Sequence, residues 1–450
     1  MTNPLSKVDP AILAVAFRDK SLCCRSSTCV GICPEGAISL NQDDYYPVLD
    51  ESKCTSCGLC GDVCPGGTVE YKKLNQITFG EDHDPQTFDG RIAQAVVTHA
   101  SDVPTRNGGA GGGVVTALLS DLLDHGDVDG CVVTRMRQDK PWLGEPFIAR
   151  NYDELCSSQG SRYTVIPLNA ILREIRDTPG RYAIAALPCQ VHGLRQAFEK
   201  NALLDERITT VVGLFCGGAL EPYVVPELLQ TKGITPDQIS DFQFRGGEWP
   251  GKMRAVMTDG EIRDLHYSNY KDGAYNYFTG LYIPPRCQVC MDGSCEFSDL
   301  SVSDTWTRDE QGNYKFAGHS RILARTERGV EVVQTAIQRG SLVAKDVSED
   351  TSYRTHQLQT KRKRLNAPLR AARWQRKGIP VPQCDRPVPP ATVNEQVTER
   401  AVSGLLWLGK YKAFRYPLIK FLTSGSARPL IDLRMWLKKR KYQKSLQSAV

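Results

Sequence analysis

Residues 54–65 form the stretch Cys54-Thr55-Ser56-Cys57-Gly58-Leu59-Cys60-Gly61-Asp62-Val63-Cys64-Pro65. Its four cysteines have the spacing C-x2-C-x2-C-x3-C-P, in which three thiolates bind one 4Fe-4S cluster and the fourth binds a neighbouring cluster. Three sulfurs must turn inward within a tight loop, and Gly58 and Gly61 give the backbone that freedom. Zinc ribbons instead pair separated C-x2-C knuckles and need no third cysteine two residues later. The stretch therefore predicts a ferredoxin-like iron-sulfur module.

An irregular copy of this stretch lies at residues 23–34 and ends in Cys33-Pro34. Exchange of ligands between the two halves predicts one complete set, Cys54, Cys57, Cys60 and Cys33, and one incomplete set, Cys23, Cys29 and Cys64. The missing fourth position holds Ser26, and Cys24 lies close by. Because a serine hydroxyl is much harder to deprotonate than a thiol, Cys24 is the better candidate for an irregular fourth ligand. The second cluster is therefore expected to depend on Cys24 or to be labile.

The overall composition is that of an ordinary globular chain. It has 450 residues, of which 41% are hydrophobic and 24% charged, so two or three domains are expected. Sixteen cysteines in 450 residues give a density far below that of a small secreted disulfide scaffold. We find no signal-peptide pattern and no run of eighteen apolar residues. These features predict a cytoplasmic protein whose cysteines bind metal or remain free thiols.

The charge is distributed unevenly along the chain. Residues 401–450 hold eleven Lys and Arg against the single acid Asp432, which gives this tail a charge of +10. The net charge is +5, so the remaining chain is mildly acidic, and we expect no nucleic-acid binding. Leucine and tryptophan pairs among the cations suggest an amphipathic helical tail. We expect either a peripheral contact with an anionic membrane or acidic partner, or a self-packed helix.

Alternating strand and helix patterns follow the cysteine-rich region. Apolar runs predict strands at 93–97, 128–134, 182–187 and 210–215, and the spacing within 114–123 predicts a helix. This order favours an α/β body with a mixed, partly parallel sheet, preceded by a small α+β ferredoxin-like domain. The predicted boundaries are 1–72 for the module, 73–90 for a linker, 91–380 for the body, and 381–450 for a Pro-rich linker and basic tail. The basic run Lys361–Arg364 is expected to lie on an exposed arm.

A second set of cysteines lies in the body. Cys189 and Cys216 each follow an apolar strand, at the sheet edge where α/β proteins bind ligands. The segment PPRCQVCMDGSC adds Cys287, Cys290 and Cys295. Four of these five could bind a third 4Fe-4S cluster. Zinc at the C-x2-C pair, or simple burial of Cys189 and Cys216, are the alternatives.

A glycine-rich loop, RNGGAGGG at 106–113, lies between a predicted strand and a helix. Such a loop can bring backbone N–H groups and a helix N-terminus to a phosphate. It matches neither G-x-G-x-x-G nor G-x-x-x-x-G-K-[ST], so no dinucleotide or P-loop fingerprint is present. Loop flexibility alone explains the glycines almost as well.

Between about residues 20 and 380 the chain resembles the beta subunits of coenzyme F420 (deazaflavin) reducing hydrogenases and dehydrogenases, a family that includes chlorophyll-pathway reductases. The resemblance is carried by the order and spacing of six segments: GGVVTALL (112–119), GSRYTVIP (160–167), LPCQVHGL (187–194), GLFCGG (213–218), FRGGEWPG (244–251) and CQVCMDGSCEFSDLSVSDTW (287–306). It implies an FAD-binding α/β body with a 4Fe-4S cluster beside the flavin.

The resemblance also implies site residues. The implied flavin contacts are Gly111, Gly112, Gly113, Thr116, Ser161, Arg162 and Tyr163, and the implied cluster ligands are Cys189, Cys216, Cys287 and Cys290. The chain departs from the family pattern at Gly111, where a Ser is usual, at Arg162, where a Lys is usual, and at Ser303, where a Gly is usual. The family's particular substrate is therefore not carried over.

Iron-sulfur clusters transfer single electrons, whereas a flavin stores two. The leading hypothesis is therefore an iron-sulfur flavoprotein oxidoreductase with two or three 4Fe-4S clusters and one FAD, which takes electrons from a ferredoxin or deazaflavin donor and reduces an organic acceptor. The alternative is a non-catalytic electron-transfer subunit that works with a catalytic partner subunit. His192 is a candidate proton donor, although a surface or helix-packing role is the simpler explanation for it.

Overall fold

The structure, a computed structural model, describes residues 8–83, 87–271, 279–309, 311–345, 352–387 and 390–447. The module and the first half of the body contain, in chain order, α1 Thr28–Ile32, β1 Ile38–Leu40, β2 Pro47–Leu49, α2 Leu59–Asp62, β3 Thr68–Val69, α3 Tyr71–Phe79, β4 Gln94–Ala100, α4 Val103–Gly108, α5 Val114–Asp124, β5 Gly130–Met136, β6 Gly144–Ala149, α6 Tyr152–Ser157, α7 Leu172–Asp177, β7 Tyr182–Ala186, α8 Pro188–Lys200, α9 Ala202–Arg207 and β8 Ile208–Leu214.

The second half continues with α10 Val224–Gln230, β9 Ile239–Gly246, β10 Lys252–Met257, β11 Ile262–Asp264, α11 Pro285–Gln288, β12 Leu300–Asp304, β13 Ser320–Ala324, α12 Glu327–Gln338, β14 Leu342–Lys345, α13 Ser352–Arg376, β15 Gln383–Cys384, α14 Val393–Gly409, α15 Lys412–Leu422 and α16 Arg428–Gln447. Strands and helices alternate through most of the body, as the sequence pattern predicts. The observed strands β4, β5, β7 and β8 lie within three residues of the predicted bounds.

An eight-stranded mixed sheet forms the centre of the body, in the order β14-β4-β13-β12-β8-β7-β5-β6. The central pairs β5–β7, β7–β8 and β8–β12 are parallel, and the outer pairs are antiparallel. Adjacent residues of one strand face opposite sides, and Val211 and Val212 accordingly belong to different cores. Helices α8 and α9 cover one face, and α5 and α12 cover the other. The predicted mixed, partly parallel α/β body is confirmed.

The ferredoxin-like module precedes this body. Its strands β1 and β2 pair as an antiparallel hairpin, and the short helices α1 and α2 each follow a residue in the left-handed region. Gly58 occupies this position before α2, whereas Ser27 occupies it before α1 with φ 63°. Together these elements form the small α+β domain that the sequence predicts.

The module is packed against the body. In α1, Gly31 lies so close to Asn169 that an added Cβ would stand 2.1 Å from the Asn169 carbonyl oxygen. The Asn169 backbone N–H donates to the Ser26 carbonyl at 3.0 Å, and its side-chain Nδ2 donates to Thr28 Oγ1 at 2.9 Å. A buried ion pair of 2.8 Å joins Arg25 of the module to Glu221 of the body.

The predicted linker at 73–90 is wrong over its first part. Helix α3 continues to Phe79, because Tyr71 and Leu74 are buried against the body and Tyr71 packs on Phe297. Residues 84–86 of the predicted linker lie outside the described residues.

The segment beyond residue 345 also differs from the predicted exposed arm and linker. Arg364 in α13 is buried and pairs with Glu296, which also accepts from Arg386 at 2.8 Å. Strand β15 pairs in parallel with β3 of the module. The described part of this segment is therefore fixed on the body and the module by buried ion pairs and by a sheet contact, which local sequence patterns do not reveal.

Three helices, α14 to α16, form most of the predicted basic tail. Helix α14 is anchored by Glu399, which accepts from Arg370 and Arg373 of α13, and α15 is anchored by Arg415, which pairs with the body residue Glu227. Leu430, Leu433, Trp436 and Leu437 of α16 remain exposed. Of the helices in the described ranges, none has the length and apolar character needed to cross a membrane.

Candidate iron-sulfur centres

The complete cysteine set of the module surrounds one cavity of about 360 Å³, here called the module cavity. Cys33, Cys54, Cys57 and Cys60 all line it, together with apolar side chains such as Leu13 and Ile38. Cys57 is exposed, so this cavity lies close to the protein surface. Burial raises the pKa of Cys60 to about 11. The neighbouring thiols also raise this pKa, whereas a hydrogen bond from the Ala14 backbone lowers it. The structure thus brings together the four cysteines that the exchange rule groups.

The incomplete set, Cys23, Cys29 and Cys64, lies further inside and is here called the inner thiol group. Burial raises the pKa of Cys29, and the nearby Cys64, Cys23 and Cys60 thiols raise it further. Because Cys60 belongs to the module cavity, the two sets are neighbours. Cys24 also lies beside this group. Burial is the main cause that raises the pKa values of Cys23 and Cys64, and the nearby Cys24 thiol is the second cause.

Ser26 is buried and lies close to the Cys24 sulfur. Its backbone N–H and its hydroxyl both hydrogen-bond to that sulfur. The Ser26 hydroxyl is also 3.1 Å from Thr28 Oγ1.

A second cavity, of about 490 Å³, lies where the module meets the body and is here called the body cavity. Five cysteines line it: Cys24 from the module and Cys189, Cys216, Cys287 and Cys290 from the body. Cys189 lies in the first turn of α8, directly after β7, and Cys216 follows β8. The carboxyl ends of two parallel strands therefore place these thiols together, as the sequence pattern predicts. Cys287 belongs to α11, and Cys290 follows it.

The structure places Cys295 behind this cavity rather than in its lining. Its side chain is fully buried, and the thiol donates to the Ala186 carbonyl at 3.7 Å. The fifth cysteine that lines the cavity is Cys24, whereas the sequence pattern predicts Cys295. Only the fold reveals this exchange, because Cys24 is 165 residues from Cys189.

Two cations, the buried Arg286 and the partly buried Lys363, line the body cavity as well. Arg286 donates from Nε and Nη2 to the carbonyls of Gly66 and Pro65, and so joins α11 to the module. Lys363 donates to the carbonyls of Cys216 and Asp292 at 3.0 and 2.7 Å. Burial lowers the pKa of Lys363, but the nearby Cys290, Cys216 and Cys287 thiols reverse this and raise the pKa above its ordinary value. Buried cations of this kind need negative charge nearby, and cluster-bound thiolates would supply it.

Sequence analysis missed both cations. Arg286 stands directly before Cys287, so its position next to a predicted ligand was a usable signal. Lys363 gave no such signal, because it lies more than seventy residues after Cys290 in a run expected to be exposed.

The candidate proton donor His192 is buried in the structure. Its Nε2 is 3.0 Å from Asp292 Oδ2, and its ring packs edge-on against Tyr71 and Phe297. Asp292 also accepts hydrogen bonds from the backbone N–H groups of Ser294 and Cys295. His192 therefore holds the cysteine-bearing loop 290–295 against α8, which is the helix-packing role.

The glycine loop is packed tightly against protein. Added Cβ atoms on Gly112 and Gly113 would stand 2.5 Å from the Gly318 carbonyl and 2.2 Å from the Thr105 carbonyl, and both residues have positive φ. At Gly111 a Cβ would stand 2.5 Å from Asp304 Oδ1. Close packing alone therefore requires these glycines. Thr116, in the first turn of α5, is buried.

The other implied flavin segment lies beside this loop. Tyr163 stacks on Tyr270, and Arg245 lies over the Tyr270 ring while pairing with Asp304 at 2.7 Å. Arg162, next to Ser161, donates to the carbonyl groups of residues 157, 158 and 160, and burial lowers its pKa to about 10. The structure thus connects Tyr163 to Gly111 through Arg245 and Asp304.

The buried polar atoms in this region that have no hydrogen-bond partner among the described residues include three on shorter side chains: Ser303 Oγ, Thr164 Oγ1 and His319 Nε2. Ser303 precedes Asp304, and His319 follows Gly318, so two of the three border the glycine loop. Thr164 lies directly before Val165 and Ile166, which line the body cavity. A cradle with unsatisfied polar atoms therefore adjoins the body cavity.

The cysteine groups are spread around cavities rather than gathered on a point. Across the described ranges, no three His, Cys, Asp or Glu side chains converge closely enough for a single metal ion. The fold and these centres together define an iron-sulfur protein with a ferredoxin-like module docked on an α/β body.

Comparison with known proteins gives the family. Residues 95–173 and 180–350 match the N-terminal and C-terminal parts of "Coenzyme F420 hydrogenase/dehydrogenase, beta subunit", and residues 47–70 match a "4Fe-4S binding domain". The chain belongs to the coenzyme F420 hydrogenase/dehydrogenase beta-subunit family, which confirms the resemblance seen in the sequence. It is accordingly an iron-sulfur component of the oxidoreductase class.

Relatives include the coenzyme F420-dependent sulfite reductase of Methanocaldococcus jannaschii, 26% identical over 70% of this chain and 46% of that protein. The coenzyme F420 hydrogenase subunit beta of Methanothermobacter thermautotrophicus is 25% identical over 58% of this chain and 86% of that subunit. This chain thus spans less than half the length of the sulfite reductase. A chain of the F420-reducing [NiFe] hydrogenase complex from Methanosarcina barkeri shares the fold, with a TM-score of 0.50, 20% identity, and coverage of 62% of this chain and 91% of that one.

Proposed function

We propose that this chain is an iron-sulfur electron-transfer subunit that works with a catalytic partner. The observation that carries the proposal is the succession of cysteine groups from the module cavity near the surface to the body cavity. It begins at exposed Cys57 in the module cavity, continues through Cys60 and Cys29 into the inner thiol group, and reaches Cys189 through Cys24. A series of this kind suits one-electron transfer between a surface donor and a buried acceptor.

The residues fit 4Fe-4S clusters at these centres. Cys33, Cys54, Cys57 and Cys60 would hold the first, the inner thiol group the second, and Cys189, Cys216, Cys287 and Cys290 the third; bound there, such clusters accept and release single electrons. The chain's own residues supply tight loops, exclusion of water and local positive charge. Arg286 and Lys363 provide that charge at the body cavity, where burial alone would favour neutral thiols.

Iron analysis tests the proposal. Anaerobically purified protein should be brown and contain about twelve irons with matching sulfide, as three four-iron clusters require. Cys57→Ala and Cys189→Ala should each lower the iron content, while Cys156→Ala, which changes a cysteine outside all three groups, should not. Colourless protein that contains zinc would refute the assignment.

We further propose that the cradle between Gly111 and Tyr163 binds FAD. The support is its position beside the body cavity, its stacked Tyr163–Tyr270 pair, the buried cation Arg245, and the unsatisfied Ser303 and Thr164 hydroxyls. A flavin there would add two-electron chemistry and make the chain an enzyme with an organic acceptor of its own. Coenzyme F420 is the competing occupant, because relatives are named for it.

Equilibrium titration of the purified chain with FAD and with F420 distinguishes these two occupants. Ser303→Ala removes a buried hydroxyl that has no partner among the described residues, so the ligand-free protein should remain as stable as wild type. The same change should weaken flavin binding about 5- to 10-fold if the hydroxyl bonds to the ligand. Thr209→Ala is the matched control, because Thr209 Oγ1 is also buried and unsatisfied but lies at the opposite end of the parallel strands. Unchanged affinity in Ser303→Ala would contradict this cradle.

The electron donor and the acceptor distinguish relay from enzyme. We propose a ferredoxin or a deazaflavin as the donor, which would reach the module cavity beside exposed Cys57. Copurification with a larger catalytic subunit, and no turnover by the isolated chain, are expected of the relay. Reduction of an organic acceptor by the isolated chain would favour the enzyme instead.

We propose that α16 also docks on an anionic membrane surface. Leu430, Leu433 and Leu437 lie three to four residues apart and are about half exposed, as is Trp436 beside them. Lys438, Lys439 and Arg440 follow directly, in a tail of charge +10. Apolar side chains can enter a bilayer interface while each adjacent cation contributes about 1 kcal/mol near anionic lipid.

Cosedimentation with phosphatidylglycerol vesicles at low salt tests this docking. Leu433→Ser with Trp436→Ser should reduce pelleting, whereas Ile262→Ser should not, because Ile262 is equally exposed but lies on β11. Equal pelleting of both variants would refute membrane docking, as would a failure of the wild-type chain to pellet.

A further inference from the structure

The thiol of Cys24 lies at the boundary between two cysteine groups, and its position carries an inference that rests on the proposed function. Cys24 follows Cys23 directly, and the backbone of Cys23 is extended, with φ −71° and ψ 121°. Adjacent side chains of extended backbone point in opposite directions. Cys23 accordingly accepts a hydrogen bond from the Arg25 backbone within the module, whereas Cys24 faces the body and lines its cavity.

The next residue fixes this direction. Arg25 has a φ of 55°, in the left-handed region that L-residues other than Asn and Asp rarely occupy. Its guanidinium is fully buried, pairs with Glu221 at 2.8 Å, and lies over the Tyr46 ring. The body therefore holds the backbone turn that aims Cys24 at Cys189.

Cys24 and Cys189 line the same cavity, as does Arg286, and the two thiols lie within interaction distance of each other. On its other side Cys24 borders Cys23 and Cys64 of the inner thiol group. The Cys24 sulfur thus lies between the two groups.

The number of cysteines in each group decides which of the two groups needs Cys24 as a ligand. Four cysteines of the body line the body cavity, which is a full set for one 4Fe-4S cluster, so Cys24 is a fifth. The inner thiol group has three and needs a fourth. We infer that Cys24 completes the inner thiol group and that its contact with Cys189 is the junction through which the two cluster sites are coupled.

Ser26 then has a different role from the one its aligned position suggests. Its N–H and hydroxyl hydrogen-bond to the Cys24 sulfur, and hydrogen bonds to cluster sulfurs tune reduction potential. Ser26 is therefore a positioning residue for the Cys24 thiolate. Arg286 contributes a fixed positive charge on the body side of the same contact.

Variants of the full chain, purified anaerobically, test the inference by iron content, EPR and redox titration. Cys24→Ala should lose about four irons, or about one if a three-iron cluster remains. In that variant, magnetic interaction between the inner cluster and the body cluster should also disappear. Ser26→Ala should keep all the iron and shift one reduction potential. The control Cys156→Ala should leave iron and potentials unchanged.

Each other outcome overturns the inference. Full iron and unchanged EPR in Cys24→Ala would show that Cys24 is not a ligand. Iron loss in Ser26→Ala would show that serine completes the group. Loss of the body cluster alone in Cys24→Ala would place Cys24 in the body set. A wild-type chain without iron would instead refute the proposed function itself, so the two failures are distinguishable.

Discussion

Gly31 of the module packs tightly against the body, and replacing it with alanine should weaken the docking of the module. The new Cβ would stand 2.1 Å from the Asn169 carbonyl oxygen and 2.8 Å from Leu172 Cβ. A tolerable contact requires a shift of about 1 Å, and neither neighbour is the end of a flexible side chain. Asn169 is fully buried and its backbone also bonds to Ser26, so it has little freedom to move.

The cost of this change can be estimated from two opposing effects. Overpacking of a close contact costs about 1–3 kcal/mol, and the upper end applies where backbone must move. Alanine in place of a helical glycine gains about 1 kcal/mol. We therefore expect Gly31→Ala to lose about 2 kcal/mol, concentrated at the docking surface between α1 and Asn169.

Gly404→Ala is the matched control. Gly404 lies inside α14, is exposed, and has nothing within 4 Å of an added Cβ, so only the helix-propensity gain of about 1 kcal/mol applies. Anaerobic thermal unfolding should therefore give a midpoint below wild type for Gly31→Ala and at or above wild type for Gly404→Ala. A Gly31→Ala midpoint equal to wild type would refute the tight docking of module on body.

Three further predictions concern contacts elsewhere in the chain. Glu399→Gln leaves Arg370 and Arg373 without their carboxylate and should cost about 3 kcal/mol in denaturant unfolding, against about 1 kcal/mol for Ser403→Ala; equal losses would contradict the ion-pair account. Burial would raise the Glu399 pKa, but hydrogen bonds from Arg373 and Ser403 lower it below its ordinary value. The stability that this carboxylate contributes is therefore present above its unfolded pKa and is lost as pH falls through its folded pKa. Glu399→Gln should show a weaker loss of stability in acid, measured as the denaturation midpoint against pH. Leu118→Ala, at a fully buried position under the sheet, should cost about 2–5 kcal/mol, whereas Val343→Ala on exposed β14 should stay within about 0.5 kcal/mol in the same assay.

The sequence predicts those features that local patterns determine. The run from Cys54 to Cys64 predicts the module cavity because the ligand spacing is a property of one loop. Strands such as β7 and β8 are predictable because they are largely buried on both faces and therefore mainly apolar. The proximity of Cys189 and Cys216 is also predictable, because parallel strands end at the same edge of a sheet.

Long-range contacts account for what the sequence does not predict. Lys363 and Arg364 stand in a basic run typical of a solvated surface, but their partners, the Cys216 and Asp292 carbonyls and Glu296, lie at least 68 residues away. The direction of the Cys24 side chain depends on Arg25, whose left-handed backbone is held by Glu221 in the body. In neither case does the local sequence contain the partner that decides the outcome.

The pairing of β15 with β3 has a mechanical consequence. The chain leaves the module at α3, forms the whole body, and returns through Gln383–Cys384 to hydrogen-bond with Thr68–Val69. Asp385 then accepts from the backbone N–H groups of Tyr71 and Lys72. Two separate stretches of chain thus tether the module, so it cannot swing like a carrier domain on a single linker. If the chain transfers electrons as proposed, its donor would have to come to the module and be recognised on the surface around Cys57.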